Sequence, residues 1–193
     1  MMNKAIFLDK DGTLIPDIPY NTDPAKITLE NNTVTGLKKL QDEGFKLIII
    51  SNQSGVARGY FPEHELFAVA ARIEELFTRN GLTLNGFYYC PHHPEGIIPR
   101  YNIACNCRKP LPGMLLRAAA DHAISLKDSW MIGDILNDAE AGNRAGCKTV
   151  LIDNGNETEW VSGPYRRPAL VCKTIDEAAE GLLLTNKHEL AGV

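Results

Sequence analysis

The sequence lacks any long hydrophobic run. No apolar stretch approaches the roughly 18 residues that a membrane-spanning helix needs. The N-terminus has neither the apolar region nor the cleavage site of a secretory signal. These absences argue against a membrane-spanning or secreted protein, so we expect a cytoplasmic protein with no membrane partner.

The sequence also has no excess of positive charge. It contains 20 Lys and Arg residues against 24 Asp and Glu residues, which gives a formal net charge of −4. No stripe of alternating basic and aromatic residues is present, and such a stripe is typical of polynucleotide-binding surfaces. We therefore expect no nucleic-acid partner, and an anionic ligand must be held by a local basic pocket.

Short apolar segments recur along the chain. They are rich in Ile, Leu and Val and end in polar residues, which is typical of parallel strands buried on both faces. The predicted strands cover residues 4–9, 46–51, 86–90, 129–134 and 148–153, with a weak strand near 169–172.

Helical periodicity separates these strands. Helices are predicted after the first strand, from Pro62 to Gly81, after Pro112, over about 136–145 and over about 175–184. This alternation predicts an α/β fold, a doubly wound and mostly parallel sheet with helices on both faces. The length of 193 residues suits one domain over residues 1–193.

Acidic residues follow two of the predicted strands. Asp9 ends the first strand, Asp134 ends a later one, and Asp11 stands two residues after Asp9, just before Gly12. Ligands of such sheets bind beyond the carboxyl ends of the strands. If the two strands are neighbours, Asp9 and Asp134 converge on a cation, and their hard oxygen ligands suit Mg²⁺. Asp11 could then act as acid and base. Taken alone, the DxDG pattern is equally compatible with a simple turn.

Groups suited to phosphate follow the second strand and a long loop. Residues 51–55, SNQSG, offer hydroxyl, amide and backbone donors. Arg108 and Lys109 precede the next predicted helix and could neutralise a phosphate in an otherwise acidic protein. A plain polar loop and two surface cations remain the alternative interpretation.

Three of the five cysteines fall in the loop over about 90–107. Cys90 and His92 are followed, after twelve residues, by Cys105 and Cys107. Three thiolates and one imidazole make a closed tetrahedral Zn²⁺ site of the structural kind. Spacing alone leaves His93 open as the imidazole ligand, and reduced cysteines without metal are the alternative.

In chain order, these motifs resemble those of the haloacid dehalogenase (HAD) superfamily of aspartate-nucleophile phosphatases. The motifs are DxDGT at 9–13, Ser51-Asn52, Lys109 and Gly133-Asp134. Finer segments resemble the bacterial D-glycero-D-manno-heptose 1,7-bisphosphate 7-phosphatases. These are SNQSGVARGYF at 51–61, CPHHP at 90–94 and CNCRKPLPGML at 105–115.

The resemblance implies a role for each candidate residue. Asp9 is the expected nucleophile, Asp11 the acid and base, and Ser51 and Lys109 the groups that hold the phosphoryl oxygens. The expected Mg²⁺ ligands are Asp9, the backbone carbonyl of Asp11, and Asp134. The resemblance also favours His92 over His93 at the zinc site and a short zinc loop in place of a large cap domain. The expected substrate-binding residues are Asp17, Tyr20, Asn52, Gln53, Ser54, Arg108 and Lys109.

Other functions remain open from the sequence. The zinc loop and the CRKP block also resemble those of the histidinol-phosphate phosphatases, which are one alternative. Another small-molecule phosphatase is a second. A phospho-accepting receiver module also carries an acceptor Asp, a Ser or Thr and a Lys. Two departures from the resembled pattern, Pro19 before Tyr20 and Ile135 after Asp134, bear on substrate detail. We expect a monomer that acts on a small sugar bisphosphate.

Overall fold

The computed structural model describes residues 2–191, with side chains through residue 187. A sheet of six strands forms its centre, and the order across the sheet is β3-β2-β1-β4-β5-β6. All the pairs are parallel. This arrangement confirms the predicted doubly wound α/β fold. The strands are β1 (Lys4–Leu8), β2 (Phe45–Asn52), β3 (Leu84–Cys90), β4 (Trp130–Gly133), β5 (Lys148–Ile152) and β6 (Leu170–Cys172).

The central strands are apolar on both faces because helices cover both sides of the sheet. In β1, Ile6 and Leu8 belong to one core, while Ala5 and Phe7 belong to the other. All four side chains are fully buried. Side chains alternate along a strand, so a continuous apolar run feeds two cores at once. Burial of a large apolar side chain contributes on the order of 1.5–3 kcal/mol, which fixes β1 at the centre.

Five α-helices flank the sheet in the described part of the chain. Buried residues of α1, α2 and α5 pack in one core, and those of α3 and α4 pack in the other. The predicted helix over 136–145 has these same bounds in the structure. The helices are α1 (Val34–Asp42), α2 (Glu65–Arg79), α3 (Gly113–Asp121), α4 (Leu136–Ala145) and α5 (Ile175–Ala191).

The start of α2 differs from the prediction. Glu63 and His64 form a turn before the helix, which begins at Glu65. The side chain of Glu63 accepts hydrogen bonds from the hydroxyls of Tyr89 (3.2 Å) and Tyr101 (2.5 Å). These long-range contacts hold Glu63 against β3 and the following loop. They cannot be predicted from the local sequence pattern.

The end of α5 also differs from the prediction. The apolar period stops near residue 184, and we expected the helix to end there. The structure continues the helix to Ala191. Leu182 is its last fully buried apolar residue within the described side chains. Apolar periodicity reports only the part of a helix that packs on a core, so a helix can continue beyond the last residue of the pattern.

A long irregular loop joins β3 to α3, as predicted. Residues 91–112 contain turns and bends but no strand or helix. Between residues 2 and 191, no insertion forms a separate cap domain. No helix within these residues has the length and apolarity needed to cross a membrane.

Candidate active site

The carboxylates of Asp9 and Asp134 lie next to each other between β1 and β4, where the order of strands across the sheet reverses. β1 lies next to β4, with Leu8 paired to Ile132, and the Asp9 amide donates to the Ile132 carbonyl (2.9 Å). Asp9 and Asp134 therefore leave the sheet side by side at its carboxyl edge. This is the switch point at which doubly wound sheets bind their ligands. The predicted convergence of the two acids is present in the structure.

Lys109 reaches this edge from the long loop. Its ammonium group forms ion pairs with Asp9 and with Asp138 (2.7 Å) and donates to the Ile50 carbonyl (3.0 Å). The side chain of Lys109 is only 2% exposed. Burial alone would lower the pKa of Lys109, but the carboxylates of Asp138 and Asp9 outweigh it and raise that pKa. Lys109 is therefore a permanent cation beside the predicted nucleophile.

Burial makes the neighbouring carboxyl groups resist ionisation. It raises the pKa of Asp9 to about 7, against the attraction of Lys109, and the negative charges of Asp138 and Asp11 add to the increase. Burial and the charge of Asp9 likewise raise the pKa of Asp134 to about 7. The pKa of Asp138 is raised by burial as well. One ammonium group thus does not neutralise this cluster.

The charges and ligand atoms of this cluster fit a divalent cation. Carboxylate oxygens of Asp9, Asp134 and Asp138 all lie within 4.8 Å of one another. Three carboxylates and the Lys109 ammonium carry a summed charge of −2, which one Mg²⁺ ion would balance. Of the three acids, Asp138 is already engaged by Lys109 and by the amide of Ile135 (3.2 Å). Asp9 and Asp134, which leave adjacent strands side by side, remain the predicted side-chain ligands of the ion, and their hard oxygen atoms suit Mg²⁺.

Asp11 lies beside this cluster with both carboxylate oxygens engaged. Lys10 contacts one oxygen (2.6 Å), and Gln53 Nε2 donates to the other (3.1 Å). The same Gln53 nitrogen donates to Ser51 Oγ (2.8 Å). Gln53 therefore ties the predicted acid and base to the hydroxyl predicted to hold a phosphoryl oxygen.

Gly12 turns the chain immediately after Asp11. Its φ of +80° lies in the left-handed region that favours glycine. A Cβ at this position would also collide with the side chains of Asp134 and Asn156. The DxDG pattern is thus more than a simple turn, because its glycine lets another strand end approach.

The stretch after β2 lines a pocket at the same edge. The amide of Asn52 pairs with the backbone of Lys109, donating to its carbonyl (3.1 Å) and accepting from its N–H (3.0 Å). Asn52 thereby fixes the segment that carries the cation. The pocket has a volume of about 300 Å³. Its lining includes six predicted site residues: Asp11, Asp17, Tyr20, Asn52, Gln53 and Ser54.

A larger groove lies away from this chemistry. It has a volume of about 670 Å³ and is lined by apolar and aromatic residues that include Phe61, Phe67 and Tyr101. None of the predicted site residues lines it. Size alone therefore does not mark the candidate active site, and the charged groups at the strand ends favour the smaller pocket.

Two guanidinium groups stand near the smaller pocket. Arg58 lies 3.2 Å from Nε2 of His93, and Arg108 lies close enough to Arg58 and Tyr20 to interact with them electrostatically. Burial is the main cause that lowers the pKa of Arg108, and the positive charge of Arg58 adds to it. Arg58 Nε and one terminal nitrogen of Arg108 are buried without a partner among the described residues. Such donors suit an anionic ligand.

The predicted zinc ligands form one cluster. Cys90 Sγ lies 3.5 Å from Cys105 Sγ and 3.1 Å from Cys107 Sγ, and His92 Nδ1 lies 3.4 Å from Cys107 Sγ. All the cysteines are free thiols. Tetrahedral zinc with Zn–S bonds near 2.3 Å places sulfur ligands about 3.8 Å apart, slightly wider than the separations here, so the residue types suit the ion and a small outward shift of the thiols would admit it. His93 instead contacts Arg58.

Sequence analysis missed several residues of this edge. Thr13 Oγ1 donates to Asp134 (3.0 Å), and Asn156 Nδ2 donates to the other oxygen of Asp134 (2.7 Å). Asp138 stands four residues after Asp134, but nothing in the sequence indicates its partner Lys109. The glycine at position 133 is the one sequence feature related to this contact, since a Cβ there would collide with the Asp138 side chain.

Relatives of known name match most of the chain. A D-glycero-beta-D-manno-heptose-1,7-bisphosphate 7-phosphatase of Haemophilus ducreyi is 42% identical over 157 residues, 80% of this chain and 86% of that protein. A D-glycero-alpha-D-manno-heptose-1,7-bisphosphate 7-phosphatase of Photorhabdus laumondii is 35% identical over 156 residues, 80% of this chain and 85% of that protein. The chain belongs to the heptose-1,7-bisphosphate 7-phosphatase family.

Further comparisons agree with membership of this family. Residues 106–178 match the family described as HAD-hydrolase-like. The crystal structure of D,D-heptose 1,7-bisphosphate phosphatase from B. bronchiseptica, complexed with magnesium and phosphate, has a TM-score of 0.80. It is 29% identical, and the match covers 94% of this chain and 99% of that one. The receiver-module alternative is wrong, because the chain belongs to a phosphatase family and Asp9 follows the first strand.

Proposed function

We propose that the protein removes the C7 phosphate of D-glycero-D-manno-heptose 1,7-bisphosphate and releases heptose 1-phosphate. The observation that carries the proposal is the meeting of Asp9, Asp134 and Lys109 at the switch point of the sheet. The names of the relatives support this substrate.

Asp9 is the nucleophile in this proposal. Its carboxylate oxygen attacks phosphorus in line, forming an O–P bond as the bond between phosphorus and the C7 oxygen breaks. Asp11 gives a proton to the departing sugar oxygen. It then takes a proton from the water that attacks the aspartyl-phosphate, which releases phosphate and restores Asp9. The contacts from Lys10 and Gln53 keep Asp11 aimed at this space.

Asp9, Asp134 and the backbone carbonyl of Asp11 would hold Mg²⁺. When bound, the ion would balance the charge of the carboxylates and polarise the phosphoryl oxygens. Lys109 contacts Asp9 directly and favours its ionised form against the effect of burial. Ser51 Oγ accepts from Gln53, which leaves the Ser51 hydroxyl hydrogen to donate to a phosphoryl oxygen.

The second phosphate of the substrate would be recognised by Arg108 together with Arg58. A bound anion would accept hydrogen bonds from their buried, unpaired N–H groups and would offset the repulsion between the two positive charges. Asp17, Tyr20 and Ser54 line the pocket and would contact the sugar, while Asn52 and Gln53 also hold other site residues. A bisphosphate should therefore bind better than a monophosphate.

The loop over about 90–107 would bind one structural Zn²⁺ through Cys90, His92, Cys105 and Cys107. The cluster of free thiols and the imidazole supports this proposal. Because Arg108 follows Cys107 directly, zinc would fix the direction of the substrate-binding cation. We also propose that the enzyme is cytoplasmic, since a reducing compartment keeps these thiols available to the metal. We further propose that it is a monomer and that residues 1–193 form a single domain.

Phosphate release from a substrate panel tests the proposal. The panel contains both anomers of heptose 1,7-bisphosphate, heptose 7-phosphate and histidinol phosphate, each with and without Mg²⁺. We expect the bisphosphate to give the highest kcat/KM and Asp9→Asn to abolish turnover. Preference for histidinol phosphate, or near-normal turnover by Asp9→Asn, would contradict the assignment.

A further inference from the structure

The loop between β5 and β6 (residues 153–169), here called the β5–β6 loop, reaches the edge of the sheet that carries Asp9 and Asp134. Asn154 Nδ2 donates to the Gly12 carbonyl (2.6 Å), and Asn156 Nδ2 donates to Asp134 Oδ2 (2.7 Å). β5 lies directly beside β4, so the segment after β5 passes the end of the strand that carries Asp134. This loop therefore contacts the predicted cation ligand Asp134 directly, and it contacts Gly12, the residue that follows Asp11.

Asp134 is held from both sides. Thr13 Oγ1 donates to its Oδ1 (3.0 Å) while Asn156 donates to its Oδ2 (2.7 Å). One donor on each oxygen fixes the plane of the carboxylate and leaves further lone pairs for a ligand. Both donors are neutral, so the negative charge of Asp134 stays available to a cation. A Lys or Arg at either position would compete with the cation for that charge.

The β5–β6 loop is itself fastened to the start of α4. Buried Glu157 accepts from the Leu136 amide (2.6 Å) with one oxygen and from the Glu159 amide (2.8 Å) with the other. Asn154 Oδ1 accepts from the Asn156 amide (3.2 Å). Asn156 is therefore held by bonds on both of its flanks, and its side chain meets Asp134 from a fixed backbone.

Gly12 is part of the same arrangement. A side chain there would collide with both Asp134 and Asn156, so the absence of a Cβ lets the amide and the carboxylate meet. Asn156 itself is exposed at the residue level. Its replacement consequently leaves the apolar cores untouched, which separates a positioning role from a packing role.

We propose that Asn156 is a positioning residue that orients the Asp134 carboxylate for the divalent cation, held in place by Asn154 and Glu157 of the β5–β6 loop. The inference rests on the magnesium-dependent reaction proposed above. Residues that orient a metal ligand generally change metal affinity about 10–100-fold when they are replaced. The effect should therefore appear in Mg²⁺ binding as well as in turnover.

Calorimetric titration of Mg²⁺ into the intact protein tests this role. The buffer is Mg²⁺-free and contains no chelator, so that the zinc cluster is left undisturbed. We expect Asn156→Ala to raise the Kd for Mg²⁺ about 10–100-fold, and Asn156→Gln, which keeps an amide donor, to raise it less. Thr158→Ala is the matched control, an exposed neighbour in the same loop, and should keep the parent Kd.

Two further measurements separate positioning from structure. The unfolding temperature of Asn156→Ala without Mg²⁺ should match that of the parent. Its kcat at saturating Mg²⁺ should recover while the Mg²⁺ concentration for half-activity rises. A parent-like Kd, or a Kd that rises only together with a fall in metal-free stability, overturns the inference. Weaker Mg²⁺ binding in a protein that hydrolyses no heptose bisphosphate would instead refute the proposed function and leave the inference standing.

Discussion

The paired carboxylates of Asp9 and Asp134 should make the stability of the metal-free protein fall as pH rises. The stabilisation by Mg²⁺ should grow over the same pH range. Burial raises the pKa of both groups to about 7 in the folded protein, from a model-peptide value of 3.8. Between these pH values the folded state holds a proton that the unfolded chain has lost. Stability without metal therefore falls as pH rises from about 4 toward 7, and the fall levels off once pH has passed the folded pKa.

The size of this loss of stability follows from the extra proton that the folded protein holds relative to the unfolded chain. The two carboxylates repel each other, so we count one proton for the pair. While the folded protein holds one proton more than the unfolded chain, each pH unit lowers stability by about 1.4 kcal/mol, and this loss fades above pH 7, so between pH 6 and 8 it amounts to between roughly 1 and 2 kcal/mol. For a chain of this size the expected fall in unfolding temperature is about 3–6 °C.

Thermal unfolding at pH 6, 7 and 8, with and without Mg²⁺, provides the assay. Bound Mg²⁺ stabilises the ionised carboxylates, so the stabilisation by Mg²⁺ should grow as pH rises. Asp134→Asn removes one acid and its repulsion of Asp9, so it should flatten the metal-free dependence and serves as the reference for all other titrating groups. A metal-free parent whose unfolding temperature stays level or rises relative to Asp134→Asn would refute the reasoning.

Three other changes have defined outcomes. Gly12→Ala places a side chain at a φ of +80° against the metal-ligand carboxylate, and should cost about 1–3 kcal/mol of stability together with most turnover. Elemental analysis should find one zinc per chain in the parent and in Cys172→Ser, and none in Cys105→Ser. Gln53→Leu removes the donor to Asp11, and should lower kcat about tenfold while substrate KM changes little.

Each of these outcomes can be contradicted directly. Full turnover by Gly12→Ala would mean that the close approach behind this glycine is dispensable. One bound zinc in Cys105→Ser, or none in the parent, would remove the metal from the loop. An unchanged kcat in Gln53→Leu would mean that Asp11 needs no orientation from this amide.

Much of the chemistry was visible in the order of residues. Asp9 and Asp134 follow apolar runs, and parallel strands bring their carboxyl ends to one edge, so the convergence could be predicted. The paired CxH and CxC spacing likewise anticipated the cluster around Cys107. These inferences succeed because they depend on local patterns and on a rule common to all doubly wound sheets.

The predicted contacts of the polar stretch after β2 were harder to assign. Asn52 and Gln53 were expected to bind substrate, and both line the pocket. Their amides are, however, committed to the Lys109 backbone and to Asp11. Amide side chains suit a sugar and a protein partner equally well, so only the folded arrangement reveals which partner is present.

The sequence by itself determined the strands, the acids at their ends and the three cysteines of the thiol cluster, because short-range periodicity and spacing encode them. The tertiary structure alone decided which groups meet. Lys109 reaches Asp9 across 100 residues of chain, and Asn156 reaches Asp134 across 22. Those contacts depend on the order of strands in the sheet and on the paths of two irregular loops, for which no local period exists.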